Sequence, residues 1–184
     1  MIFRPRESPL FAAVLAALLL FTGPACAGAE AQPQAKAQYG SQTHLPLPRL
    51  ASLKATRCNL RSGPGLRYPI TWVYRREHLP VVILREFGNW RLLRLPDGTR
   101  GWMHRVLISG RRTFVVTAQH AVLRRAPKDK AAAVARLRRG VLGRLRRCRP
   151  RDAWCAVSTQ GYSGYVRRTQ IWGSDADARK AALR

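Results

Sequence analysis

The stretch LPVVILREFGNWRLLRLPDGTRGWM, residues 79–103, decides the fold. Leu79 to Leu84 is a short β-branched run, and Asn89 to Leu95 is a second run of strand character. Between that second run and Arg100 stands Pro96-Asp97-Gly98-Thr99, a hairpin signal because Asp-Gly readily adopts the backbone of a tight turn. Short strands at close spacing, punctuated by Gly and Pro, predict a small β-barrel or sandwich.

The pattern occurs twice. NLRSGPG at 59–65 falls on VLRRAPK at 122–128, pairing Leu60 with Leu123, Arg61 with Arg124 and Pro64 with Pro127. Trp90 meets Trp154, GWM at 101–103 meets GYV at 164–166, and Ile108 and Gly110 meet Ile171 and Gly173. The offset is 63 residues at both ends and 64 around the second Trp, so one inserted loop residue reconciles them. Two tandem copies of one β unit follow, at 49–112 and 113–173, the second divergent. The tail, 174–184, reads as a short helix that frays, with Ser174 as cap and Asp175 and Asp177 at its positive end.

Upstream of 79, the segment RCNLRSGPGLRYPI, 57–70, poses a choice between a phosphate-cradling loop and a turn. A P-loop needs Lys followed by Ser or Thr after its glycines, whereas Pro64 interrupts the glycines here and Leu66-Arg67-Tyr68-Pro69 follows. Gly63-Pro64-Gly65 is therefore read as a tight turn, with a fixed φ flanked by two residues free to take positive φ.

The N-terminus reads as a leader. Arg4 and Arg6 precede the apolar run Leu10 to Phe21, and Ala25-Cys26-Ala27 offers a small-x-small cleavage site. This predicts a signal peptide over 1–27, an exported protein beginning at Gly28, and a periplasmic location. A lipoprotein reading through Cys26 lacks the branched aliphatic residue its processing signal expects. Residues 28–48, rich in Ala, Gln and Pro, are expected to form a disordered linker.

The 184 residues carry 34 Lys+Arg against 9 Asp+Glu, a formal charge of +25 made mostly of arginine. Such a field attracts phosphates, carboxylates and anionic surfaces but does not specify a fold. No paired carboxylates, CxxC, HxxxH or Cys with a His partner stands out, so neither an enzyme nor a metal site is expected, and no cofactor. Cys148 and Cys155 bracket RPRDAW, where two strands of the second copy run antiparallel, and are expected to form a disulfide. Cys58 is left over, either buried or paired with another molecule.

NLRSGPG, GNW, DGTRGWM, LISGRRT, GVLGR, WCAV and IWG, in that order over residues 49–173, resemble the bacterial SH3-like domain of exported envelope proteins. The resemblance implies two tandem small SH3-like barrels that bind without catalysis, reading peptidoglycan-derived or protein peptides in an aromatic-lined groove. On that reading Tyr68 and Trp72 are the preferred ligand contacts. Trp90 and Trp102 are further ones that also suit the barrel core, and Arg61, Arg67, Arg75 and Arg76 offer forked donors to carboxylates. The alternatives are Arg-driven binding of a polyanion, nucleic acid or anionic lipid surface, and a scaffold for an envelope protein partner.

Overall fold

The structure is a computed structural model that describes residues 38–182. The expected leader, linker residues 28–37 and the last two residues of the tail lie outside the described residues. The described chain opens with β1 (Gln38–Tyr39) antiparallel to β2 (Pro46–Leu47). This corrects the expectation of a disordered linker reaching residue 48. Leu47 is buried, and Gln42 and Thr43 close over the carboxylate of Glu86, whose burial demands donors that this stretch supplies.

The first sheet contains β3 (Arg49–Leu53), β4 (Cys58–Arg61), β5 (Ile70–Tyr74), β6 (Pro80–Phe87), β7 (Trp90–Arg94), β8 (Arg100–His104) and β9 (Ile108–Ser109). The second contains β10 (Thr113–Val116), β11 (His120–Arg124), β12 (Ala133–Arg138), β13 (Leu142–Arg147), β14 (Trp154–Thr159), β15 (Tyr162–Arg167) and β16 (Ile171–Trp172). Their strand orders, β5-β4-β8-β7-β6-β3-β9 and β12-β11-β15-β14-β13-β10-β16, are the same topology, and every pairing is antiparallel.

Burial alternates along β4, β7, β8, β11 and β14, as a half-buried strand requires. One core gathers Leu53, Leu60, Val81, Ile83, Leu93 and Met103, and the other Phe114, Leu123, Leu145, Val157 and Val166. Register shifts recur at matching places, after Leu60 and Ile83 and after Leu123 and Leu145. Such bulges bend a sheet and increase its twist, which helps it wrap its own core. The Asp-Gly turn forms as expected: Gly98 has φ +90°, and Asp97 Oδ1 accepts from the Thr99 N–H at 2.9 Å.

The tail is α1 (Asp175–Ala182). Asp177 Oδ2 accepts from the backbone N–H of Ser174 at 2.9 Å and from its hydroxyl at 2.7 Å, the returning half of a capping box at the first turn. The helix does not stand free to fray. Ala178 and Ala181 are buried against Val82 of the first sheet, with Leu50, Leu84 and Trp172 packed around them, and Arg112 pairs with Asp175 at 2.5 Å. Arg76 of the first module also donates to the carbonyl of Gly140 in the second.

Candidate functional site

The loop after β4 is built around an arginine and a tyrosine. Arg61 Nη1 donates to the carbonyls of Leu66 and Tyr68, at 3.1 and 2.6 Å, which turns the chain back toward β5. Tyr68 folds over the glycines, so closely that a Cβ at Gly63 would come to 2.4 Å from its ring carbons. Neither Gly63 nor Gly65 takes a positive φ. The turn expected here exists, but its first glycine supplies room for an aromatic ring rather than left-handed backbone. The second module keeps the same arginine device without the glycines: Arg124 Nη1 donates to the carbonyl of Ala131 at 2.7 Å.

The remaining first-module candidates are spread over several surfaces. Arg67 lies over the Tyr68 ring, 5.2 Å from its centroid. Trp72 is 60% exposed on β5, between Ile70 at 44% and, next along the strand, Val73 at 39%. Since β5 pairs only with β4, these apolar side chains lie on a sheet edge. Arg75 is exposed, and Arg76 is engaged with Gly140. Trp102 stands on β8 opposite Arg61 and Leu92, while Trp90 packs edge-on against His104 with centroids 5.4 Å apart. Both are half-buried.

The second module carries a feature that the sequence reading passed over. A cavity of about 290 Å³ is lined by Pro127, Arg147, Arg149, Asp152, Trp154 and Tyr165, together with Ala153 and Ala156. Pro127, Trp154 and Tyr165 occupy the positions of Pro64, Trp90 and Trp102 in the repeat, and that equivalence is the sequence signal that could have found it. Arg167 lies over Trp154, 4.9 Å from its centroid, and is held by Asp129 through a forked pair whose Nε–Oδ1 arm is 2.9 Å. The Cys148–Cys155 disulfide closes the loop that bears Arg149 and Asp152, and Trp154 sits next to the bridge.

A third region joins the N-terminal stretch to the first sheet. Glu86 accepts from Thr43 Oγ1 at 2.7 Å, Arg49 Nη2 at 2.6 Å and the backbone N–H groups of Gln42 and Thr43 at 2.9 and 3.0 Å, with Arg91 Nε at 3.5 Å. Burial by itself would raise its pKa, but these hydrogen bonds prevail and hold it at about 2. Arg49, Arg91 and Arg105 line an adjoining cavity of about 360 Å³. Cys58 is buried and unbridged, and burial pushes its thiol pKa up. Among the described residues, no three His, Cys, Asp or Glu side chains are grouped to hold a metal ion.

The chain matches the bacterial SH3 domain twice, at residues 54–110 and 117–173. It is 40% identical over 60 residues to YrvJ of Bacillus subtilis, named as an N-acetylmuramoyl-L-alanine amidase; that segment is 32% of this chain and 11% of the relative. Solved structures that it resembles include NlpC2 of Trichomonas vaginalis, at 13% identity and a TM-score of 0.32, over 67% of this chain and 47% of the other. An NlpC/P60 family protein from Bacillus cereus gives 12% and 0.31, over 68% and 57%. The paired family match covers most of both sheets, and the chain belongs to the bacterial SH3 domain family, in two tandem copies.

Proposed function

We propose that this protein is a non-catalytic binding module of the bacterial cell envelope, exported to the periplasm, that takes peptide segments along the edge of its first sheet. Those segments are wall-derived or belong to an envelope protein. The observation that carries the proposal is β5, an edge strand with Ile70, Trp72 and Val73 exposed. Such an edge offers unpaired backbone groups to an extended peptide, and Trp72 offers an aromatic surface to its side chains. Membership of the family and the match to a relative named as an N-acetylmuramoyl-L-alanine amidase support a cell-wall ligand.

Titration with soluble peptidoglycan fragments tests this. Trp72→Ala is expected to weaken binding at least tenfold with an unchanged circular dichroism spectrum. Full affinity in that variant would place the ligand elsewhere. Purified peptidoglycan incubated with the protein is expected to release no fragments, and a reproducible hydrolysis product would make it an enzyme.

A second reading, polyanion binding, is favoured by the stretch 136–147, which holds six exposed arginines and no acid. Affinity for duplex DNA would then fall with salt, with a log–log slope approaching about 0.9 per neutralised phosphate. Peptide binding along β5 is expected to change far less over the same salt series.

A further inference from the structure

We infer that the second module carries its own ligand site, the cavity between Trp154 and Tyr165, and that it binds the free carboxylate end of a short peptide with small side chains. This site is distinct from the β5 edge.

The charge within the cavity is uncompensated. Arg147 and Arg149 line it and are exposed, and neither guanidinium has a hydrogen bond or ion pair within the described residues. The one carboxylate in the lining, Asp152, accepts from the backbone N–H of Arg149 at 2.9 Å, a contact that shapes the loop. Two cations therefore face one acid. The other nearby arginine, Arg167, is neutralised by Asp129 and serves to brace the Trp154 ring. A carboxylate suits two free guanidinium groups because each can give it paired, charge-assisted hydrogen bonds.

The walls limit the rest of the ligand. Trp154 and Tyr165 give flat apolar surfaces, and Ala153 and Ala156 leave space between them. A volume of about 290 Å³ falls just below the roughly 300–1,000 Å³ typical of ligand pockets, which suits one or two small residues rather than a long chain. The Cys148–Cys155 bridge, with Cα atoms 4.5 Å apart, closes the loop that presents Arg149 and Asp152, so part of the site is organised before a ligand arrives.

The test uses the full oxidised protein and four probes: acetyl-alanyl-alanine in its L,L and D,D forms, each as the free acid and as the C-terminal amide. The readout is the indole N–H resonance of Trp154, assigned by its loss in Trp154→Phe. At least one acid is expected to shift it saturably and to bind at least tenfold more tightly than its amide. Arg147→Gln with Arg149→Gln is expected to weaken that acid at least tenfold, with the remaining resonances of the second module unmoved. Equal affinity for acid and amide would overturn the inference, as would undiminished binding by the double variant or no saturable shift with either acid. Since β5 carries a different reporter, Trp72, failure here leaves the edge-strand reading to its own test.

Discussion

Glu86 shows what one residue does in a chain so rich in arginine. Its side chain is fully buried against Arg49 and Arg91, and its pKa of about 2 lies below the ordinary 4.5. A carboxylate with a depressed folded-state pKa contributes stability above its unfolded value, and that contribution is lost as pH falls through the folded value. The window therefore runs from about 4.5 down to about 2. Glu86→Gln is expected to cost ~3 kcal/mol at pH 7, because it leaves buried guanidinium groups without their counter-charge. Denaturation of both proteins between pH 7 and pH 2 should show the difference shrinking through that window; a gap independent of pH would argue against the assignment. None of this was legible in the sequence, since the donors from Gln42 and Thr43 lie more than 40 positions away in a stretch that reads as linker. The Gly63-Pro64-Gly65 turn was legible, but its cause was not. A ring folding back from Tyr68 leaves no local pattern, whereas glycine always suggests positive φ.

Between residue and module lies the hairpin, and the two repeats fasten the same one differently. Following the ladder past the bulge, Arg85 pairs with Leu92 and then Glu86 with Arg91; in the second copy Arg147 pairs with Ala156, and Cys148 and Cys155 come next. A buried ion pair in one module thus stands where a disulfide stands in the other. Reduction of Cys148–Cys155 is expected to cost ~2–3 kcal/mol on the loop-entropy account. Hydrogen exchange should accelerate along β13 and β14 while β6 and β7 keep their protection, and equal acceleration in both hairpins would contradict the local role. The bridge was readable in advance because the repeat set Trp90 on Trp154 and so placed Cys155 on a strand. Its counterpart was hidden, because one more Glu and Arg attract no notice in this composition. The cavity by Trp154 was hidden for a related reason: aromatics are denser in the first copy, and the second copy's half-buried pair needed the fold to bring Arg147 and Arg149 beside it.

Across the whole molecule, the modules are coupled by a helix that belongs in sequence to the second and in packing to the first. Ala178 and Ala181 cover Val82, and Trp172 from β16 joins the same cluster. Four alanines scattered among acids and bases on eight residues carry almost no periodic signal, and nothing in that pattern singles out the two that are buried, which is why the tail reads as a frayed end. Ala178→Asp places a charge against this apolar face and is expected to lower the stability of the first module by ~2 kcal/mol or more while sparing the core around Phe114. Following Trp90 and Trp154 resonances through denaturation would separate the two responses, and an unchanged first-module midpoint would refute the coupling. The arrangement also bears on the order in which the chain is made. The first sheet has all its strands once Ser109 has emerged, yet α1 begins 66 residues later. Until then Val82 and its neighbours present a bare adhesive strip, so a nascent or truncated chain that lacks its last turns is marked as unfinished on a module that is otherwise complete.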